Sequence, residues 1–350
     1  MVAGAAGRER PPLPEPSALT AAIGLLRSSA EWRVLAPLVA RGLGADPPAS
    51  VTGADRNWLQ AETRHAVALA LARRALLARL GERAAALDLP LVLLKGAALN
   101  GWIYPDDAPR GGVDIDLLIR PVDRPRLPAL LDGLALAQPH FPGRPHLARL
   151  AFERCYVGTG AGATPLDIHW ALTYPALYRI DGDGLFRRAR PHPRLHRPAL
   201  RVPAAGDMLL HLAVHALYDL KAWGRHDLDA AALLWRLPVD WPILVARAQS
   251  WGAGAALYLL LCRAHAGLGA PVPDEVLSAL RPGAPRRLLG RVLLGRPLDA
   301  DRARVGPSER LRQLGVQFAF AAGPLAALHL QGCYLAARAR DGRPWSRPAP

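Results

Sequence analysis

The pattern of apolar and polar residues divides the chain into helical stretches and two short zones of strand character. Residues 17–43 and 57–87 carry apolar side chains at intervals of three and four, which predicts a helix capped by Ser17 and a second, longer helix. Residues 91–94 are a continuous apolar run that is typical of a buried strand. Residues 113–119 have the same character apart from two aspartates, and residues 125–136 return to helical spacing.

The second half of the chain changes from strands to helices. Residues 154–159 and 165–172 predict a β-hairpin around a glycine-rich turn, and a Pro/His/Arg-rich connection follows over residues 174–203. Helices are predicted at residues 207–222, 227–237 and 241–266, the last interrupted at Gly252–Gly254. The pattern therefore predicts an α+β fold in four parts: a disordered tail (1–16), N-terminal helices (17–88), a mixed core (89–203) and an all-helical C-terminal domain (204–350).

Composition indicates a globular protein. The chain has 350 residues, 51% of them hydrophobic, which is ample for a core. Its three cysteines are scattered without a CxxC pair, which argues against a disulfide framework or a zinc knuckle and fits a reducing compartment. The first residues contain acidic side chains and prolines and no apolar h-region, so we expect no signal peptide and a cytoplasmic location.

The net charge of +15 raises the question of an anionic partner. The positive charge is almost entirely arginine and is spread along the chain without interleaved aromatic residues, so we favour compositional bias over nucleic-acid binding. Residues 313–337 are uncharged but contain Gln317, Pro324 and His329. This stretch predicts a buried helix pair broken at Gly323–Pro324, in preference to a membrane span.

Two carboxylates on the predicted strand 113–119 are the most informative chemical feature. Side chains alternate along a strand, so Asp114 and Asp116 point to one side while Ile115 points into the core. Like charges held side by side repel unless a cation lies between them, and hard oxygen ligands suit Mg²⁺. The sequence therefore predicts a metal-binding strand a short distance after the Lys95–Gly96 turn.

The order of these motifs resembles a known superfamily. The stretch LKGAALNGWIYPDDAPRGGVDIDLLI, followed by LDIHWAL, is similar to an uncharacterised bacterial nucleotidyltransferase family within the superfamily that includes DNA polymerase β. The resemblance covers residues 91–170 and continues more loosely to residue 235. It implies a minimal polymerase-β-like sheet flanked by helices, with the helical C-terminal domain closing the acceptor side.

The resemblance also implies roles for individual residues. Asp114, Asp116 and Asp167 would hold two Mg²⁺ ions, and Asp167, which occupies a position where the family usually has Glu, would also orient or deprotonate the acceptor. Lys95 and Gly96 would approach the triphosphate, with a solvated lysine and a plain turn as the alternatives. Arg110 would contact phosphate or order a loop, against the alternative of a surface arginine.

Histidines are the remaining candidates. His169 lies beside Asp167 and would tune it, although a hydrogen-bonded core histidine is the commoner case. His211 and His215 have i, i+4 spacing on a predicted helix without the glutamate of HExxH, which favours helix packing, with contact to the acceptor substrate as the alternative. Trp170, on the other strand face, is expected in the core.

The sequence thus predicts a Mg²⁺-dependent nucleotidyltransferase. It would move a nucleoside monophosphate, AMP from ATP in the favoured interpretation, to a hydroxyl or similar acceptor on a small molecule, peptide or protein, with release of pyrophosphate. Two alternatives stay open: a DxD glycosyltransferase that uses a nucleotide sugar, and a catalytically silent nucleotide-binding or interaction module. Neither the acceptor nor the oligomeric state follows from the sequence.

Overall fold

The structure, a computed structural model, describes residues 15–107, 109–112, 114–137, 145–158, 164–218, 223–294 and 307–341. In these ranges the chain forms a mixed seven-stranded sheet flanked by many helices, with a helical C-terminal region, so the predicted α+β class is confirmed. Residues 1–14, which are most of the predicted tail, lie outside the described residues, as do residues 159–163, which include most of the predicted hairpin turn (160–164).

In its described residues, the N-terminal region contains four helices where the sequence predicted two. Its helices are α1 (Pro16–Ser28), α2 (Ala30–Arg33), α3 (Ala36–Leu43) and α4 (Gly53–Ala86). A single helix over 17–43 is wrong because Ser29 is extended and Pro37, at the start of α3, has no N–H to continue the preceding turn. Ser17 is not the cap of α1, since Glu15 precedes the helix and Pro16 occupies its first position.

Helix α4 is the long predicted helix and supports the sheet. It begins with a capping box in which Thr52 Oγ1 accepts from the Asp55 N–H at 3.1 Å and the Thr52 N–H donates to Asp55 Oδ2 at 3.3 Å. Leu77, Leu80 and Ala84 are buried in the same core as the strands. This end of α4 therefore covers one face of the sheet.

The sheet has the order β3-β4-β5-β2-β1-β7-β6. Its strands are β1 (Leu91–Leu93), β2 (Ile115–Leu118), β3 (Leu136–Ala137), β4 (Glu153–Gly158), β5 (Leu166–His169), β6 (Arg190–Pro191) and β7 (Leu200–Val202). Neighbouring strands are antiparallel except for the β2–β5 and β1–β7 pairs. Strand β2, which carries Asp116, and strand β5, which carries Asp167, are thus parallel and adjacent.

Short helices connect the strands: α5 (Lys95–Leu99), α6 (Leu127–Leu131), α7 (Pro145–Leu150) and α8 (Gly182–Arg188). The predicted hairpin is confirmed, because β4 and β5 pair antiparallel. The predicted helix over 125–136 is wrong in its second half: α6 ends before Asp132, and Gly133 has a φ of +66° that no helix continues. The connection over 174–203, predicted without elements, contains α8, β6 and β7.

The C-terminal region is helical in the part that the structure describes. Its helices are α9 (Ala205–Tyr218), α10 (Trp223–Arg236), α11 (Trp241–Trp251), α12 (Gly254–Leu268), α13 (Asp274–Leu280), α14 (Ala284–Leu294), α15 (Pro307–Phe320) and α16 (Pro324–Arg340). The predicted interruption at Gly252 is confirmed by its left-handed φ of +73°. The pair α15–α16 is broken at Gly323 as predicted, but α16 is only partly buried, with Leu325 and Leu328 exposed. Among the helices described, none combines the length and apolar character needed to cross a membrane.

Candidate functional site

Three aspartates meet where β2 and β5 begin. Asp114 precedes β2, Asp116 lies within it, and the parallel register pairs Asp116 with Asp167 of β5. Residues paired across neighbouring strands share a face of the sheet, so both side chains point the same way. One carboxylate oxygen from each aspartate lies within 4.8 Å of the others. The structure therefore brings together the three residues that the sequence predicted as metal ligands.

The hydrogen-bonding of this triad fits a cation. Asp167 Oδ1 is buried and has no hydrogen-bond partner among the described residues. Such a carboxylate oxygen is costly to leave unpaired, and a divalent cation would satisfy it. Burial raises the pKa of Asp114 above its ordinary value, and the neighbouring Asp116 carboxylate raises it further. The three aspartates can therefore hold a metal ion.

Asp116 is the aspartate of the triad whose buried negative charge is offset by neighbouring hydrogen-bond donors. It is 3% exposed, and its Oδ1 accepts a hydrogen bond from Lys95 Nζ at 2.8 Å and lies 3.0 Å from His169 Nε2. Burial alone would raise the pKa of Asp116, but Lys95 and His169 outweigh it and hold the pKa well below the ordinary value. Asp116 is thus ionised, with one oxygen engaged by protein donors.

Lys95 sits in an unusual backbone conformation at the end of β1. Its φ is +45°, a region that residues with a Cβ rarely occupy, and such strain is most frequent at functional sites. Burial lowers the pKa of Lys95, but the Asp116 and Asp114 carboxylates more than compensate, and the pKa lies above the ordinary value. The charged ammonium lies against the triad. A contact with nucleotide phosphate stays a prediction.

Gly96 and Arg110 are in direct contact. A Cβ built on Gly96 would lie 2.9 Å from Arg110 Nη1. Arg110 is not the surface arginine of the alternative interpretation, because it is 5% exposed and donates from Nε and Nη2 to Asp229 of α10 at 3.1 and 2.7 Å. Tyr104 Oη donates to the same carboxylate at 2.8 Å. A buried ion pair thus ties the Lys95–Gly96 turn to the helical region.

Gly96→Ala is expected to lower the free energy of unfolding by about 1–3 kcal/mol, because the added methyl group displaces the Arg110 guanidinium from a packed position. Chemical denaturation of the purified variant measures this loss. The control is Gly24→Ala in α1, where nothing lies within 4 Å, and which is expected to gain about 0.5–1 kcal/mol of stability from helix propensity. Equal effects of the two substitutions would contradict the contact.

The predicted histidines lie inside the protein. His169 is fully buried, and its Nδ1 is 3.0 Å from Glu153 Oε2. His211 and His215 of α9 are also buried, with ring centroids 5.6 Å apart, and His215 Nδ1 lies 3.3 Å from His226 Nε2. Burial lowers the pKa of His211 and of His215 well below the ordinary value, so both rings are neutral near pH 7. Neither ring nitrogen of His211 has a hydrogen-bond partner among the described residues, and for both histidines helix packing and a role on the acceptor side stay predictions.

Trp170, which was expected in the core, is only partly buried, and the Arg124 guanidinium lies 4.1 Å from its ring centroid.

Sequence reasoning missed two residues near the site, Glu153 and Asp229. Glu153 had a weak signal, because it directly precedes the predicted hairpin strand 154–159; in the structure it begins β4 and lies opposite His169. Asp229 had none, since α10 contains another aspartate, Asp227, of the same local character.

Comparison with known proteins supports a single family. The family model described as an uncharacterised nucleotidyltransferase matches residues 22–269, which is more than half of the chain. The match includes the N-terminal helices, the whole sheet and the first helices of the C-terminal region. No curated protein and no solved structure gives a significant match.

Proposed function

The chain belongs to this uncharacterised nucleotidyltransferase family, and we propose that it transfers a nucleoside monophosphate, AMP from ATP, to an acceptor hydroxyl with release of pyrophosphate. The observation that carries the proposal is the convergence of Asp114, Asp116 and Asp167, with oxygens within 4.8 Å, on the strands that the family motif marks. The acceptor is a small molecule, a peptide or a protein.

The three aspartates would hold Mg²⁺, in a site for two ions. When bound, the ions neutralise phosphate charge and activate the acceptor hydroxyl. The carboxylates supply the hard oxygen ligands that Mg²⁺ prefers. Lys95 adds a fixed positive charge beside Asp116, and this charge is available to the phosphates that enter the site.

The proposed reaction is an in-line displacement at the α-phosphorus. The acceptor oxygen forms a bond to the α-phosphorus while the bond from that phosphorus to the β-bridging oxygen breaks, and pyrophosphate leaves with the electron pair. The hydroxyl proton passes to the Asp167 carboxylate. Catalysis then depends mostly on positioning and charge neutralisation.

A small cavity lies beside the Lys95–Gly96 turn. It has a volume of about 70 Å³ and lies between α4 and α5, bordered by Gly96, Ala97 and Ile115. Arg73 lines it and is electrostatically coupled to Asp114. The cavity is much smaller than the roughly 300–1,000 Å³ of pockets that hold small ligands, and none of the three aspartates lines it, so the proposal rests on the triad and not on this cavity.

Labelled nucleotides test the proposal. The protein is incubated with Mg²⁺, a cell extract and ATP that carries ³²P at either the α- or the γ-phosphate. We expect the α-label in an acceptor product and the γ-label in pyrophosphate, because the bond broken is the one between the α- and β-phosphates. CTP, GTP and UTP in place of ATP establish which base is accepted.

The other outcomes each exclude the proposal. A γ-label on the product would indicate phosphoryl transfer. Binding of nucleotide sugars in preference to nucleoside triphosphates would indicate a glycosyltransferase. Tight binding of ATP without any product, over a panel of acceptors, would indicate a catalytically silent module.

A further inference from the structure

His169 lies between two carboxylates from neighbouring strands. Its ring is fully buried, with Nε2 3.0 Å from Asp116 Oδ1 in hydrogen-bonding geometry and Nδ1 3.0 Å from Glu153 Oε2 in a close polar contact without that geometry. The antiparallel register of β4 and β5 places Glu153 directly opposite His169, on the face that carries Asp116 and Asp167. The three groups form a continuous row that starts at a partly exposed carboxylate, Glu153, and ends at a buried one, Asp116.

The row determines which oxygen of Asp116 is available. A carboxylate oxygen offers two lone pairs, and Asp116 Oδ1 already has two donor atoms within 3.0 Å, Lys95 Nζ and His169 Nε2. A cation between the aspartates would therefore bind Asp116 through Oδ2. Rotation of the carboxylate would exchange the two oxygens, and the positions of Lys95 and His169 oppose that rotation.

Glu153 acts on the triad indirectly. Among the described acidic residues, histidines and cysteines, the group with ligand atoms within 4.8 Å of one another consists of the three aspartates and does not include Glu153. The Glu153 side chain is 34% exposed, whereas His169 is completely enclosed. Its carboxylate is thus placed to hold the His169 ring from the side away from Asp116.

We propose that Glu153 is a positioning residue which, through His169, fixes the Asp116 carboxylate so that Oδ2 faces a divalent cation. The inference rests on the proposed function, because it requires a cation at the aspartate triad. Groups that orient metal ligands in this way typically change metal affinity or activity by about 10–100-fold when they are removed. Glu153 would then be a determinant of metal affinity that does not touch the metal.

Metal affinity, measured without nucleotide, tests this role. Mn²⁺ binding to the full chain is followed by electron paramagnetic resonance for wild type, Glu153→Ala, Glu153→Gln and Asp116→Asn. We expect Glu153→Ala to weaken Mn²⁺ binding by about 10-fold or more. Glu153→Gln keeps the shape of the side chain and an oxygen beside the ring, and is expected to lose less affinity than Glu153→Ala. The matched control is Glu82→Gln, which removes an exposed ion pair with Arg197 and should leave the affinity unchanged.

A double-variant cycle shows whether the effect passes through His169. If it does, Glu153→Ala adds nothing to the loss already caused by His169→Asn, so the two effects are not additive. Far-UV circular dichroism and thermal melting establish that each variant is folded; should Glu153→Ala not fold, the cycle is run with Glu153→Gln, whose smaller loss must likewise disappear on the His169→Asn background.

Two results separate the inference from the proposed function. The role of Glu153 is overturned if Glu153→Ala binds Mn²⁺ with wild-type affinity, or if the losses in the cycle are additive. In either case Asp116→Asn should still abolish binding, and the proposed function stands. Unchanged binding in Asp116→Asn would instead show that no cation binds at the triad, and both proposals would fall.

Discussion

Asp114→Asn is expected to reduce nucleotidyl transfer by about 10³-fold or more, because it removes a charge worth several kcal/mol to the metal-bound transition state. The same substitution is expected to leave the fold intact or to stabilise it. The pKa of Asp114 is raised by burial and by Asp116, so its ionised form is disfavoured in the folded protein. Transfer of the α-label measures activity, and chemical denaturation at pH 7 measures stability.

The sign of the stability effect follows from linkage. A carboxyl with a raised folded-state pKa opposes folding once the pH exceeds its unfolded-state pKa, and asparagine removes this opposition. The gain should therefore disappear at pH values low enough to protonate Asp114 in both states. Asp132→Asn is the control, because Asp132 is 81% exposed in its ion pair with Arg83 and should change neither property. Retention of a tenth of the activity in Asp114→Asn would contradict a ligand role.

Asp229→Ala is expected to cost about 3–5 kcal/mol of unfolding free energy, because it leaves the Arg110 guanidinium buried without its counter-charge. The side chains of Arg110 and Asp229 are 6% and 0% exposed, so water cannot replace the lost partner. Tyr104 Oη also loses its acceptor. Denaturation in urea measures the loss of stability.

A matched exposed pair provides the control for this substitution. Asp106→Ala breaks the ion pair with Arg74, whose side chains are 57% and 45% exposed, and should cost no more than about 1 kcal/mol. The double variant Arg110→Met/Asp229→Leu is expected to recover much of the stability lost in Asp229→Ala, since it removes the unpaired buried charge. A loss below 1 kcal/mol in Asp229→Ala would contradict the burial of this pair.

The acidic triad could be predicted because its signals are local. Asp114 and Asp116 interrupt an apolar strand at spacing two, and Leu117 continues into the core, so the strand's alternation alone decides their direction. Asp167 has the same kind of signal within the hairpin strand. The family resemblance then joined strands some fifty residues apart in the chain, which periodicity by itself does not do.

The ion pairs around the triad could not be predicted from the sequence, because they depend on packing between segments that are distant in the chain. Arg110 and Asp229 are 119 positions apart, and Asp227, two residues earlier on α10, pairs instead with Arg263. No local pattern distinguishes the two aspartates. Strands β6 and β7 were missed for a different reason, since two or three residues next to prolines are too few to show a period.

The contact between Asp229 and the Arg110 that touches Gly96 has a consequence for engineering. A helical region exchanged into this chain must supply an acidic residue at the position of Asp229, because Arg110 would otherwise be buried beside the Lys95–Gly96 turn without a counter-charge. A library of recombined sequences that always keeps the Arg110–Asp229 pair should therefore contain more folded proteins than a library in which the point of recombination is chosen at random.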